Sequence, residues 1–241
     1  MRLIDLSFDR PAQNLALDEA LLDAAEADKS PSTLRFWESP TLFVVLGVAQ
    51  KLVDEVDETA CRRDGVPILR RCSAGGAVLQ GRGCLNYSLI LRLDDFPQAK
   101  ALRESYCLIL GRIVDALTSL GVKAAIQGTS DLAVDGVKFS GNAQKRRRRA
   151  ILHHGTLLYE FDLAAVTRYL REPEQRPEYR GRRMHREFVG NLPLDSIQLR
   201  NCIGAAFQVD PTEVSPGREE SERAIALRSN KYDLDTWVRR R

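Results

Sequence analysis

Apolar residues recur at two different spacings along this chain, and the two spacings occupy separate stretches. A helical period predicts one helix over residues 14–29, capped by Asn14, and another over residues 98–120. Between and after these helices, short β-rich runs follow one another, such as residues 41–46 and 68–71. Strands that follow one another, with helices in separate blocks, favour an α+β fold over a doubly wound sheet.

Turn signals divide the rest of the chain. Asp135-Gly136 stands between two β-rich runs and predicts a two-residue hairpin with a type I′ turn. Residues 171–193 are rich in Arg, Glu and Pro, lack periodicity and predict a long, mobile loop. The further predicted elements are strands over residues 77–80, 85–93 and 151–159, and helices ending near residue 64 and over residues 162–170 and 195–206. We expect one domain over residues 1–193 and a small C-terminal helical appendage over residues 194–241.

The composition excludes several classes of protein. The 241 residues carry 36 basic and 33 acidic side chains, so a general nucleic-acid binder is not expected. No apolar run approaches the roughly 20 residues that a membrane-spanning helix needs. The five cysteines are scattered without a CxxC pair, which is typical of a reducing cytosol, and three histidines do not indicate a zinc site. We therefore expect a soluble, cytoplasmic protein with no membrane partner.

The densest candidate for a binding site is a glycine-rich stretch, RRCSAGGAVLQGRGCLNYS, over residues 70–88. Glycine lets the backbone come close to a ligand, and successive N–H groups can then face an anion. Arg70 and Arg71 would supply planar charged groups for a phosphate or a carboxylate. The alternative is a pair of glycine turns beside surface arginines. The stretch matches neither the GxxxxGK pattern of a phosphate-binding loop nor the dinucleotide-binding GxGxxG.

Two further clusters lie on predicted strands. Lys138 follows the hairpin, and Gly141-Asn142 is expected to interrupt its strand at a polar kink, which often marks the approach of a ligand. The alternative is a solvated lysine on an edge strand. His153 and His154 are adjacent in a strand, so at most one of them can face a shared site.

Five consecutive basic residues, 145–149, lie between these two clusters. A solvated loop, a mobile lid that closes over a polyanion and a nucleic-acid contact are three alternatives for them. The third has weak support, because no aromatic residues are interleaved with the charges.

In their order and spacing, these clusters resemble the lipoate–protein ligase A family, part of the biotin and lipoate ligase superfamily. The stretches that carry the resemblance are RRCSAGGAVLQGRGCLNYS, GTSDLAVDGVKFSGNAQ, HHGTLLY and PAQNLALDEALL, which together span about residues 5–170. The resemblance implies a mixed, largely antiparallel central sheet flanked by helices. It also implies ATP-dependent attachment of lipoate or octanoate to a lysine of an acceptor lipoyl domain, through an acyl-adenylate and with Mg²⁺.

The resemblance implies roles for individual residues as well. Lys138 would be the catalytic residue, neutralising the substrate carboxylate and then the developing oxyanion. Arg70 would contact phosphate, and Asp131 would either hold Mg²⁺ or the nucleotide or be purely structural. The other residues implied in substrate and nucleotide binding are Ser73, Gly75, Gly76, Ala77, Gly83, Asn86, Ser140, Gly141, His154, Gly155 and Thr156. Leu46, Val78 and Leu157 are candidate walls of the acyl tunnel, from their position only.

The chain also departs from the family pattern. Ala74, Gln80 and Ser130 stand where glycine, histidine and asparagine are common, which concerns the details of the pocket. Few residues follow the expected catalytic domain, so we expect a short form without the family's C-terminal accessory domain. Its tail resembles that of bipartite ligases, which use a separate small accessory protein.

An octanoyltransferase of the same superfamily is the nearest alternative. Such enzymes take an acyl group from acyl carrier protein or another lipoylated protein through a cysteine thioester, without ATP, and their cysteine precedes the strand with the His-Gly pair. Residues 148–152 contain no cysteine here, and Cys72 and Cys84 are expected to be small packing residues, which favours the ligase. A biotin ligase has a different glycine-loop pattern. A non-enzymatic module that binds through the basic run is the alternative from another class.

Overall fold

A seven-stranded sheet forms the centre of the protein in this computed structural model, which describes residues 1–174 and 176–240. The strands of the protein are β1 (Arg2–Asp5), β2 (Thr33–Trp37), β3 (Phe43–Leu46), β4 (Ile68–Arg70), β5 (Val78–Gln80), β6 (Cys84–Arg92), β7 (Ala124–Gln127), β8 (Asp131–Val134), β9 (Val137–Arg146) and β10 (Ala150–Leu158). The order in the main sheet is β1-β2-β6-β10-β9-β8-β7. β1 and β2 pair in parallel, and the other neighbours pair antiparallel.

A second, three-stranded sheet with the order β4-β3-β5 lies beside the first. β3 pairs in parallel with β4 and antiparallel with β5. Because β4 ends at Arg70 and β5 begins at Val78, the glycine-rich stretch connects the two outer strands of this small sheet.

Helices cover both faces of the main sheet and also pack against the small sheet. They are α1 (Pro11–Glu26), α2 (Leu52–Glu55), α3 (Glu58–Asp64), α4 (Leu102–Ser119), α5 (Leu163–Tyr169), α6 (His185–Phe188), α7 (Ser196–Ala206), α8 (Arg218–Leu227) and α9 (Asp235–Val238). Strand β6 shows the layering: Leu89 and Leu91 join a core with α4 and α7, whereas Ile90 joins a core with α1 and α8. A strand that is buried on both faces is apolar almost throughout, as the sequence of β6 is.

The predicted α+β architecture with a largely antiparallel central sheet is confirmed. Asp135 and Gly136 have positive φ angles of 50° and 76°, as a type I′ turn requires. The predicted cap of α1 is wrong: the helix begins at Pro11, and the Asn14 amide lies inside it, bonded to the backbone N–H and C=O of Phe8. The predicted interruption at Gly141-Asn142 is also wrong, because β9 runs through both residues.

The region after β10 contains more structure than its sequence pattern suggests. Residues 171–193 include a 3₁₀ turn, Glu178–Arg180, and the short helix α6. Beyond α7, helix α8 packs on α1, and α9 packs on β4. The division at residues 193 and 194 stays a prediction. Within the described ranges, no helix combines the length and the apolar composition that crossing a membrane requires.

Candidate active site

Two adjoining cavities open where the small sheet meets the main sheet, and they share a wall at Lys138. The first, here the α1 cavity, has a volume of about 130 Å³ and is bounded by Leu15 and Asp18 of α1. The second, here the α5 cavity, has a volume of about 230 Å³ and is bounded by Val166 of α5 and Phe188 of α6. The residues that line both cavities are Gly76, Ala77, Val78, Asp131, Lys138, Gly141 and Thr156.

Lys138 lies near the start of β9, where the β8–β9 pairing contains an irregularity. Leu132 pairs with Ser140 and Ala133 with Lys138, so one residue of β9 is extra. Such a bulge re-aims the side chains next to it. The Lys138 ammonium lies 2.8 Å from Asp131 Oδ1, with about a quarter of the side chain exposed. A cation held in this way at the junction of two cavities can receive an anionic group from either side.

The wall of the α1 cavity contains a buried ion pair. Arg35, fully buried on β2, donates from Nη1 to Asp18 Oδ1 at 2.6 Å, and Ser88 donates to Asp18 Oδ2 at 2.7 Å. Burial alone would raise the pKa of Asp18, but the Arg35 guanidinium and the hydrogen bonds outweigh it, so this pKa lies below its ordinary value. His154 Nδ1 lies 3.7 Å from the same carboxylate. The cavity therefore has a fixed anion in its wall.

The glycine-rich loop closes the α1 cavity from the other side. The Ser73 hydroxyl lies 2.6 Å from His154 Nε2, and Arg71 donates to Ser73 Oγ and to the carbonyls of Ala74 and Gly76. Burial lowers the pKa of Arg71 to about 10, which leaves its guanidinium charged at neutral pH. The arginine thus shapes the loop that it belongs to.

Glycine is required where this loop touches the end of β3. A Cβ atom on Gly47 would lie 2.0 Å from the carbonyl oxygen of Gly75, which itself has a φ of +95°. The two backbones can approach in this way because residue 47 has no side chain, and glycine at position 75 permits the positive φ of the loop.

Apolar side chains dominate the α5 cavity. Leu79, Phe161 and Leu170 line it, and residues 176–189 close it. Phe188 packs against the ring of Tyr179 at 5.2 Å and below the guanidinium of Arg180 at 4.7 Å. The Tyr179 hydroxyl donates to Asp131 Oδ2 at 2.8 Å, which connects this segment to the partner of the central lysine.

Most of the residues singled out in the sequence come together here. The α1 cavity is lined by Gly75, Gly76, Ala77, Asn86, Asp131, Lys138, Gly141, His154, Gly155 and Thr156, and Ser140 lines the α5 cavity. Val78 lines both cavities, but Leu46 and Leu157 lie in the hydrophobic cores instead. Ser73 does not line the α1 cavity but contacts two residues that do, His154 and Arg71. Gly83 lines neither cavity; it lies in a turn between β5 and β6, close to the backbone of Glu160.

The structure contradicts the predicted phosphate contact of Arg70. Its side chain is fully buried and donates to the carbonyl oxygens of Gly47, Gln50 and Val238. Arg70, the last residue of β4, faces the C-terminal segment, whereas Arg71, the residue after it, lines the α1 cavity. Arg71 is therefore the arginine of the pair that lies at the candidate site.

The basic run 145–149 does not form a lid. It ends β9 and turns into β10, and its arginines bond to neighbouring groups: Arg146 to the carbonyls of Ala99 and Lys100, Arg147 to Asp23, and Arg149 to Asp28 and Asp94. Carboxylates thus pair with Arg147 and Arg149, and backbone carbonyls accept from Arg146. These contacts support neither closure over a polyanion nor a nucleic-acid surface.

Asp18 and Trp37 also line the α1 cavity, and neither was singled out in the sequence. Asp18 has one sequence signal, because an acidic residue on the apolar face of a helix needs a buried partner. For Trp37 the sequence offers no comparable signal, since its neighbours in the cavity come from distant parts of the chain.

Magnesium, which the resemblance implied, finds no ready ligand set. Among residues 1–174 and 176–240, no group of three or more His, Cys, Asp or Glu side chains could hold a metal ion. Both carboxylate oxygens of Asp131 are engaged, one by Lys138 and one by Tyr179. The residues therefore do not fit a protein-held magnesium site; magnesium ordinarily binds largely through nucleotide phosphates and water.

The fold belongs to a known class, that of lipoate protein ligases. A bi-partite lipoate protein ligase from Thermoplasma acidophilum superposes with a TM-score of 0.85 at 25% identity, covering 99% of this chain and 95% of that one. A putative lipoate protein ligase from the same organism, solved with bound lipoic acid, gives the same score at 24% identity, with 99% and 98% covered.

The sequence matches are consistent with this class. The family model for the lipoyl protein ligase A/B catalytic domain matches residues 10–196, and the chain belongs to that family. It is 32% identical over 276 residues to an octanoyltransferase LipM of Geobacillus kaustophilus, covering 98% of this chain and 96% of the relative. It is 35% identical over 158 residues to a putative lipoate-protein ligase A of Aeropyrum pernix, covering 66% and 57%. The chain is thus an enzyme of the lipoate ligase and transferase family.

Proposed function

We propose that the protein attaches lipoate or octanoate to a lysine of an acceptor lipoyl domain, with ATP, through an acyl-adenylate. One observation carries the proposal: Lys138 lies at the junction of two cavities, and no cysteine of the described chain, which includes all five, lines either of them. An acid and a nucleotide could then occupy separate cavities and meet at a single cation.

The two cavities suit different parts of the substrates. The α1 cavity, between Leu15, Trp37 and Val45, would take the acyl chain, with its carboxylate at Lys138. The wider α5 cavity would take the adenosine, because apolar side chains such as Phe161 and Phe188 suit a flat base. The α-phosphate would then lie at the shared wall, where the backbone of Gly76 can approach it closely.

The reaction needs no protein nucleophile. The acid's carboxylate oxygen attacks the α-phosphorus of ATP, and pyrophosphate leaves, which gives the acyl-adenylate. The amine of the acceptor lysine then attacks the acyl carbon; it loses a proton, and AMP leaves with the bonding electrons. Lys138 would hold the carboxylate in the first step and stabilise the oxyanion in the second. For both, its ammonium must turn from Asp131 towards the substrate.

Transfer through a cysteine thioester is the second candidate, because relatives that cover nearly the whole chain are named octanoyltransferases. That chemistry needs a reactive thiolate at the site. Cys72 and Cys84 are both buried; burial raises the pKa of Cys72 to about 12, and that of Cys84 above its ordinary value as well. Such thiols remain protonated and packed, which supports the ligase.

Structural neighbours support the proposed ligands and partner. One lipoate-protein ligase A was solved bound with ATP, and another lipoate protein ligase was solved in a study that includes its E2 lipoyl domain. Binding of ATP and a lipoyl acceptor by this chain follows from the proposal. The requirement for a small accessory protein, the separation of residues 194–241 and the cytosolic location stay predictions.

The test compares the wild-type chain with Lys138→Ala, and with Lys123→Ala as an exposed matched control. Each is assayed for AMP release with lipoate or octanoate, ATP, magnesium and a lipoyl domain, and separately for transfer from octanoyl acyl carrier protein without ATP. We expect AMP release from the wild type and the control and none from Lys138→Ala. ATP-independent transfer by the wild type, without AMP release, would overturn the ligase in favour of the transferase.

A further inference from the structure

A buried chain of hydrogen bonds runs behind the two cavities and ends at the residue before Asp131. Its members, in order, are Arg146, Gln144, His153, Tyr87, Asn142 and the carbonyl of Ser130. They come from three adjacent strands of the main sheet, β6, β10 and β9, and from the turn before β8. The chain thus leads from the basic run to the neighbourhood of Lys138.

Chemistry fixes the direction of every link. Arginine has no acceptor, so Arg146 Nη1 donates to Gln144 Oε1 at 2.9 Å. The Gln144 amide nitrogen must then be its donor, and it lies 3.0 Å from His153 Nδ1. The amide orientation follows from these two contacts together.

His153 is neutral, so one of its ring nitrogens accepts a hydrogen bond and the other donates one. Full burial and the neighbouring His154 lower the pKa of His153 to about 3. Since Nδ1 accepts, the single proton is on Nε2, which lies 3.3 Å from the Tyr87 oxygen. The Tyr87 hydroxyl is then free to donate to Asn142 Oδ1, and it does so.

Asn142 receives this bond on its oxygen and therefore points its nitrogen the other way. Nδ2 donates to the carbonyl of Ser130 at 2.8 Å and to Ser140 Oγ at 3.1 Å. The amide lies directly against Gly155, where a Cβ would come within 1.8 Å of Oδ1. The amide has room for this position only because residue 155 is glycine.

We infer that Asn142 is a positioning residue that sets Asp131, and through it the Lys138 ammonium, and that Tyr87 and His153 hold Asn142 in its working orientation. The inference rests on the proposed function for the reaction that Lys138 serves, but the geometry applies to either reaction of the family. It also gives a role to the first histidine of the adjacent pair and to Arg146, which the proposed chemistry does not use.

Two readouts separate positioning from packing. The first is the ¹H–¹⁵N NMR signal of the Lys138 ammonium, assigned with Lys138→Arg, because an ion-paired ammonium exchanges its protons more slowly than a solvated one. The second is kcat, compared with the free energy of unfolding. Tyr87→Phe removes one hydroxyl at constant shape, and Asn142→Ala removes the amide. Tyr106→Phe is the matched control, since Tyr106 packs edgewise on His153 but its hydroxyl takes no part in the chain.

We expect Tyr87→Phe and Asn142→Ala to move the Lys138 signal towards that of solvated lysines and to lower kcat roughly tenfold, while Tyr106→Phe changes neither. An unchanged Lys138 signal and unchanged kcat in a folded Tyr87→Phe variant would overturn the inference, whatever the loss of stability. Because the NMR signal needs no substrate, it still tests the inference if the enzyme proves to be a transferase; kcat is then measured for octanoyl transfer.

Discussion

The α1 cavity and the α5 cavity meet at Lys138, but they are built in different ways. Strands of the main sheet, α1 and a buried Arg35–Asp18 ion pair form the wall of the first. Residues 176–189 close the second and reach the sheet through a small set of contacts, among them the hydrogen bond of Tyr179 to Asp131 and a β-bridge between Val189 and Lys138. The shape of the α1 cavity is therefore coupled to global stability, and that of the α5 cavity to the docking of one segment.

This difference predicts that mutations around the two cavities affect different measured quantities. Changes around the α1 cavity should appear first as a loss of stability, because they leave charges or polar groups buried without partners. Changes around the α5 cavity should appear first in nucleotide affinity, because the segment can loosen while the sheet stays folded.

The largest expected effect is that of Asp18→Ala in the α1 wall. The change leaves the Arg35 guanidinium buried without its carboxylate, so the free energy of unfolding should fall by about 3–5 kcal/mol. Urea denaturation measures it. Asp23→Ala on the same helix is the control, since its pairs with Arg147 and Arg223 are partly exposed and should cost about 1 kcal/mol or less. If both variants lose the same free energy of unfolding, the buried ion pair does not stabilise the α1 cavity more than the exposed pairs do.

The second prediction concerns His153, which is buried behind the α1 cavity, and the pH dependence of the free energy of unfolding. Unfolded histidine binds a proton near pH 6.5, whereas folded His153 does so only near pH 3, so stability rises with pH between these values. The wild type should therefore lose about 2 kcal/mol more than His153→Gln between pH 7 and pH 5. Denaturation of both proteins at the two pH values is the measurement, and parallel losses would show that His153 does not remain neutral.

A smaller effect is expected from Phe188→Ala at the α5 cavity. Phe188 is buried against Tyr179 and Arg180, so its loss should loosen residues 176–189 and raise the KM for ATP about tenfold. Tryptic cleavage within this arginine-rich segment should also become faster. Met184→Ala, at an exposed position of the same segment, should change neither quantity. A fall in global stability without a change in KM would remove the distinction between the cavities.

The smallest effect is expected from Tyr179→Phe. It removes the hydroxyl that donates to Asp131 and should lower kcat a few-fold, in line with a single hydrogen bond worth about 1 kcal/mol. Steady-state kinetics with Tyr159→Phe as the control test this, because the Tyr159 hydroxyl bonds to Glu38 instead. If both variants behave alike, the contact with Asp131 does not contribute to the reaction.

The sequence was sufficient for the fold class because helical and β-rich stretches are well separated along it. Strand β2 was missed because its sequence, TLRFW, places an arginine among apolar residues. That arginine is tolerated only because Asp18 of α1 pairs with it, a contact between distant parts of the chain. Strand β7, AAIQ, has a single β-branched residue and too weak a pattern to predict.

Local signals singled out the clusters of the candidate site, whereas the roles of individual residues in it followed only from the family resemblance. The hairpin turn placed Lys138 on a strand close to Asp131, and strand alternation required the two adjacent histidines to face different environments. The choice between Arg70 and Arg71 could not be made in this way, because alternation says that they differ but not which of them faces the cavity. The orientation of Arg70 depends on the distant C-terminal segment, where the Val238 carbonyl accepts hydrogen bonds from its guanidinium.

Under the proposed function, the contact between Gly47 and Gly75 limits how this enzyme could be adapted to new acids. Two main chains touch there, so no change of rotamer can relieve an added methyl group, and a substitution at residue 47 would have to displace the whole loop. If the α1 cavity takes the acyl chain, variation of substrate length is open to the side chains of Leu15, Val45 and Val78, which smaller side chains can replace, and closed to Gly47, whose contact fixes the position of the loop.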